Sequence, residues 1–372
     1  MRNFKKFAAV AAVVFAAMLA LSACSSDNNG DGNGTDADTG NGDEVTSVDY
    51  KACIVSDAGG WDDRSFNESA YNGLMAAKDD LGIETNTAES QADSDFAPNV
   101  DAMVADGCDM IIGVGFLLEQ PLEDAANANP DLSFGLVDAM FTDADSNPVT
   151  LENGRPLVFN TAEAAFLAGY LAAGVSETGT VATFGGMQIP SVSIFMDGFA
   201  DGVDYYNEQK GTDVSVLGWD KDAQTGAFTN SFDDQTLGKQ QAQQFLDQGA
   251  DVIMPVAGPV GLGAAAAIQE TGDAYFIGVD SDWYETAPDY GEYILTSVMK
   301  DIAVSVQDTV RAGVQDEFSS EPYIGTLEND GVGIAPFHDL DSVVSDELKS
   351  EIDEITEQIK SGEIVVETPN AP

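Results

Sequence analysis

From residue 52 onward, short apolar runs alternate with segments whose apolar residues recur at helical spacing. Strand-like runs fall at 52–55, near Glu84, and at 110–114, 132–137 and 157–159; a second set falls at 180–184, 214–217, 252–256, 275–279 and 293–298. Helical patterns separate most of them, so the chain reads as repeated β-α units, which build parallel sheets covered on both faces. Two sets of about five strands predict two similar lobes. About 320 residues beyond the N-terminal region also exceed one comfortable core.

The N-terminus breaks this pattern. Arg2, Lys5 and Lys6 precede an apolar run at 7–21, too short to span a bilayer comfortably and shaped like a secretory signal. Its end, Leu21-Ser22-Ala23-Cys24, resembles a bacterial lipobox, so residues 1–23 are expected to be removed and Cys24 lipidated, anchoring the protein without a spanning helix. Residues 24–48 hold almost no apolar side chain and read as an acidic, Gly-rich flexible tether. Asp27, Asn29, Asp31, Gly32 and Asp38 come near calcium-loop spacing, but without flanking helices the segment reads as linker, and no metal is expected.

Charge then narrows the partners. The formal net charge is −51, and loss of the signal would remove three further cations. Such a field repels nucleic acid and anionic substrates; it suits a solvated surface in high salt or on an exposed cell face. Cys53 and Cys108 lie near the starts of strands. Burial as two thiols is the favoured reading, although an exported chain also permits a disulfide.

Candidate chemistry sits at the strand ends. Val55-Ser56-Asp57, Val137-Asp138, Val256-Ala257-Gly258 and Val279-Asp280 each place an acid or glycine where an apolar strand stops. One such aspartate could simply cap a helix, but three aspartates and a glycine at four such strand ends predict a polar crevice at the carboxyl ends of the strands. After Asp57, a glycine-rich loop leads to a capping box with Ser65 as N-cap and Glu68 three residues on. Phe66 then falls in the first helical turn, an odd place for core packing. Phe195 belongs to an apolar helical stripe with Val192, Phe199 and Val203, which a core alone would explain. Lys300 is one of few cations in the chain and could offset a ring of carboxylates. Enzyme motifs such as G-x-S-x-G, H-E-x-x-H and the phosphate loop are missing, and His338 is the single histidine.

These blocks resemble the basic membrane protein family of substrate-binding lipoproteins. The resemblance runs from Asp57, Asp63, Ser65, Phe66 and Asn67 through Phe166-Leu167-Ala168-Gly169 and 185–199 to Gly278-Val279-Asp280, 297–300 and 329–333. It implies an α/β type I periplasmic-binding-protein fold, two doubly wound parallel-sheet lobes joined by a three-segment hinge. The expected lobes are 49–159 with 281–318, and 160–280 with 319–345, followed by a C-terminal helix and tail at 346–372. It also implies an ABC transporter permease as partner, a monomeric protein on the outer face of the cytoplasmic membrane, and no cofactor or catalytic residue. In the similar purine nucleoside receptors a base lies between two phenylalanines. Carried onto this chain, Phe66 and Phe195 would stack the base and Asp57 would take its edge. Gly258, Asp280 and Lys300 would address the ribose, with Asn67 and Asp138 as further contacts. One lysine does not suffice for a phosphate, so a neutral nucleoside is expected. A sugar or signal-molecule receptor on the same fold, a non-transport surface lipoprotein and a nucleoside hydrolase are the alternatives.

Overall fold

The computed structural model describes residues 48–143 and 147–372; Cys24, the tether and the calcium-like spacing lie outside them. In the first lobe, strands β1 (Lys51–Ser56), β2 (Glu84–Ala88), β3 (Met110–Val114), β4 (Ser133–Val137) and β5 (Gly154–Phe159) alternate with helices α1 (Phe66–Leu81), α2 (Asp93–Ala105) and α3 (Glu119–Ala128). The second lobe opens with α4 (Thr161–Val175), β6 (Thr180–Gly185), α5 (Pro190–Lys210) and β7 (Ser215–Leu217). A hairpin of β8 (Trp219–Asp220) and β9 (Thr225–Gly226) leads to α6 (Gln235–Asp247), β10 (Val252–Val256), α7 (Val260–Thr271) and β11 (Tyr275–Asp280). Then follow α8 (Trp283–Thr286), β12 (Ile294–Lys300), α9 (Ile302–Val314), β13 (Tyr323–Gly325), β14 (Val332–Ile334) and α10 (Asp346–Lys360).

The two sheets share one design. Their orders are β13-β5-β4-β3-β1-β2 and β14-β12-β11-β10-β6-β7, parallel except that β14 runs antiparallel to β12. Central strands such as β3 and β10 are buried along their whole length, as expected where helices cover both faces. In each sheet the order in which strands are added reverses beside the first strand, between β1 and β3 in one lobe and between β6 and β10 in the other. That switch point opens a crevice at the strand carboxyl ends, where ligands bind in this class of sheet.

The chain crosses between lobes three times: at Asn160, at Lys300 to Asp301, and between β13 and β14. Two expected boundaries therefore move. Residues 281–318 were assigned to the first lobe, but β12 pairs in parallel with β11 in the second sheet. The turn through α8 brings the chain back alongside the strand it has just left, so the crossing falls at residue 300 rather than 280. Likewise 319–345 was assigned to the second lobe, yet β13 pairs with β5 in the first sheet. After the second crossing α9 returns to the first lobe and packs on α1 so closely that a Cβ on Gly73 would lie 2.4 Å from the Ala303 carbonyl oxygen.

Cys53 and Cys108 form a disulfide, correcting the preference for two buried thiols. β1 and β3 are hydrogen-bonded neighbours, which brings the two Cα atoms to 6.0 Å, within the range a bridge needs. No helix among the described residues is long and apolar enough to cross a membrane.

Candidate functional site

The expected capping box does not form; a different acid opens α1. Asp63 accepts hydrogen bonds from the backbone N–H groups of Ser65 (3.0 Å), Asn67 (2.8 Å) and Glu68 (3.0 Å), so its carboxylate serves the donors at the helix start. Released from capping, the Ser65 hydroxyl reaches across the cleft, 2.9 Å from the Val279 carbonyl oxygen and 3.1 Å from Asp280 Oδ2. Beside it the Ser281 hydroxyl donates to the Arg64 carbonyl at 3.0 Å. These contacts join the two lobes.

Asp57 follows β1 and packs against Gly115 at the end of β3. A Cβ at Gly115 would fall 1.9 Å from Asp57 Oδ2, and its φ of +104° also favours glycine. Asn67 fixes the other carboxylate oxygen, its Nδ2 lying 3.3 Å from Asp57 Oδ1 and 3.0 Å from the Ala58 carbonyl. Asn67 Oδ1 is buried without a hydrogen-bond partner and remains an open acceptor. Burial pushes the Asp57 carboxyl well above the usual carboxylate range, against the Asn67 hydrogen bond, and the charges of Asp63 and Asp138 push it further.

Lys300 joins the same group of residues. Its Nζ lies 2.7 Å from Asp138 Oδ2 and 3.2 Å from Asp280 Oδ1, and also 5.3 Å from the Phe66 ring centre and 4.8 Å from that of Phe195. Burial alone would depress the ammonium, but attraction and hydrogen bonds from the two aspartates outweigh it and raise it. Asp138 is raised by burial despite Lys300 and a hydrogen bond from Ser191. Asp138, just past β4, and Asp280, the last residue of β11, stand at the carboxyl ends of the third strands of their sheet orders, and both take left-handed backbone, φ 68° and 69°. Such strained carboxylates persist where the surrounding structure fixes them, and they cluster at binding sites.

All eight residues expected at the site, Asp57, Phe66, Asn67, Asp138, Phe195, Gly258, Asp280 and Lys300, line one cavity of about 530 Å³ including its open mouth. The N-terminal ends of α1, α5 and α7 meet it, and their dipoles offset part of the carboxylate charge. Not every expected residue presents itself equally. Phe195 is 1% exposed and belongs to the core, with Lys300 against its ring, whereas Phe66 is half-buried. Phe232 and Phe116, both half-buried, and Ser191 also line the cavity and were not anticipated. Phe232 did carry a signal, as the one aromatic in the polar run from Thr229 to Asp234.

Two parallel-sheet lobes hinged by three crossovers, with a polar and aromatic cavity between them, define a solute-binding protein. The chain belongs to the family described as ABC transporter substrate-binding protein PnrA-like, which it matches over residues 51–369. It is 30% identical to basic membrane protein A of Borreliella burgdorferi over 319 residues, 85% of this chain and 87% of the other. It is 28% identical over 381 residues to the ABC transporter nucleoside-binding protein BmpA of Lactococcus lactis, covering 97% of this chain and 99% of that one. Among solved structures, an ABC transporter solute-binding protein from Aeropyrum pernix superposes with a TM-score of 0.76 at 28% identity, over 86% of this chain and 94% of its own. These relatives place the protein with transporter-linked binding proteins rather than enzymes.

Proposed function

We propose that the cavity captures an uncharged purine nucleoside and that the protein, anchored through lipid on Cys24, delivers it as a monomer to an ABC permease. The observation that carries this reading is that buried acceptors, a buried ion-paired lysine and half-buried aromatic rings line one cavity. Asp57 and the open Asn67 Oδ1 suit the N–H groups of a base edge. Lys300 with Asp138 and Asp280 suits vicinal hydroxyls. The rings of Phe66 and Phe232 offer apolar faces for a flat heterocycle. Lys300 is the one cation among the lining residues, set against Asp57, Asp63, Asp138 and Asp280, so a phosphate would meet net repulsion. The named nucleoside specificity of the Lactococcus lactis relative supports the same class.

Titration calorimetry with inosine, guanosine, adenosine, uridine, ribose and galactose tests the ligand class. Purine nucleosides are expected to bind and free sugars not. Binding of ribose or galactose alone would overturn the reading in favour of a sugar receptor. Retention of the Cys24→Ser variant in the membrane fraction would refute the lipid anchor.

A further inference from the structure

Outside the cavity, the most heavily bonded buried charge is Asp197, fully buried in α5 two residues beyond Phe195. Oδ1 accepts from Trp219 Nε1 at 2.9 Å and Gln224 Nε2 at 2.8 Å, both from the β8–β9 hairpin. Among the described residues, Oδ2 accepts from the C-terminal tail alone, from Thr368 Oγ1 at 2.5 Å and Asn370 Nδ2 at 2.8 Å. Asn370 Nδ2 also lies 2.8 Å from Gln224 Oε1, and the Glu367 carbonyl accepts from Lys221 Nζ at 2.6 Å. The tail therefore ties hairpin and helix into one knot.

That knot leads to the cavity. Beyond β9, Ala227 and Thr229 bracket Gly185 at the end of β6: Gly185 donates to the Ala227 carbonyl at 3.0 Å, and Thr229 N–H donates to the Gly185 carbonyl at 3.0 Å. Gln188 Nε2 holds the Gln224 carbonyl at 2.7 Å. Three residues past Thr229, the Phe232 ring packs on Gly186, where a Cβ would come within 2.3 Å of it, and lines the cavity. We propose that residues 366–370 act as a positioning strap: through Asp197 and Gln224 they fix the 224–232 segment and so set the place of the Phe232 wall. The proposal rests on the nucleoside reading for its effect on affinity, but not for its effect on the segment.

A purely structural tail would fill the surface groove and stabilise the second lobe without favouring this segment. The strap instead acts through donors, because without Thr368 and Asn370 the Asp197 Oδ2 is buried and unpaired, and relief requires hairpin or helix to shift. The test uses the full chain carrying Thr368→Val with Asn370→Leu, which keeps bulk and removes both donors, beside Thr368→Ser, which keeps the hydroxyl. Hydrogen exchange is read without ligand, then inosine is titrated. Faster exchange confined to the 224–234 peptides, affinity weakened about tenfold in the double variant, and wild-type behaviour in Thr368→Ser are expected. Unchanged exchange in 224–234, or unchanged inosine affinity in a protein that binds it, overturns the strap. If the wild type binds no nucleoside, the functional reading falls and exchange alone decides the strap. Should the double variant fail to fold, Asn370→Leu alone is read the same way.

Discussion

Lys300 and Asp138 form an ion pair across the cleft: the ammonium ends β12 in the second lobe, and the carboxylate 2.7 Å away follows β4 in the first. Lys300 also ends the strand from which the second crossover leaves. One buried charge therefore touches the ligand cavity, the opposite lobe and the hinge. The same ammonium meets Asp280 of its own lobe at 3.2 Å, so one cation serves carboxylates of both lobes and the charge pattern favours this arrangement of the lobes.

Removing that ammonium should expose the cost of the acids it serves. Lys300→Met leaves Asp138 and Asp280, whose side chains are about nine-tenths enclosed, without a countercharge, a change expected to destabilise the protein by about 3–5 kcal/mol at neutral pH. The deficit should shrink on acidification. Burial already raises Asp138 with Lys300 present, and losing the ammonium raises it further; a carboxyl with a raised folded-state value favours folding most below its unfolded value near about 4 and loses that contribution as pH rises through the folded value. Thermal melts of both proteins from pH 4 to 8 check this. A pH-independent gap in stability would contradict it.

Asp57 offers the cleaner case, because among the described residues no cation pairs with it. Its raised value means that the buried carboxyl is tolerated at low pH and increasingly costly as pH rises from about 4 through the folded-state value. Asp57→Asn mimics the protonated acid and keeps the shape. The variant should match the wild type in stability near pH 4 and gain on it progressively at higher pH, as read from denaturant midpoints. Equal stability at every pH would mean that the carboxyl is not held against its charge.

The repeated β-α pattern, the ten main strands and the strand-end residues Asp57, Asp138, Gly258 and Asp280 were legible because buried parallel strands write themselves as apolar runs and their carboxyl ends carry the ligand groups, whereas Asn67, Phe195 and Lys300 were named through the family resemblance. What failed was information about partners distant in sequence. Ser65 fits a capping box locally, but Asp63 takes the amides and Ser65 spends its hydroxyl on residues more than two hundred positions away. β12 and β13 could not be assigned to a lobe from their own residues, since only pairing with β11 and β5 distinguishes them. Phe195 was read as a cavity aromatic, and the cavity does reach it, but its helical stripe is equally a core signal and its ring is almost wholly enclosed.

That ambiguity yields the sharpest comparison. If Phe66 stacks a base, Phe66→Ala removes one face of the sandwich at a half-buried position, weakening inosine binding by about tenfold or more while leaving the melting temperature nearly intact. Phe195 is packed within the core and against Lys300, so Phe195→Ala leaves a cavity and should cost about 3–5 kcal/mol of stability whatever happens to binding. Phe232→Ala is expected to resemble Phe66→Ala, because both rings are half-buried, pack on the edge of the same core and line the cavity. Calorimetric affinity and melting temperature, measured on all three, separate the roles. Loss of stability without loss of affinity at Phe66 would move the aromatic wall elsewhere, whereas full stability with weakened binding at Phe195 would restore it as the second face of the base.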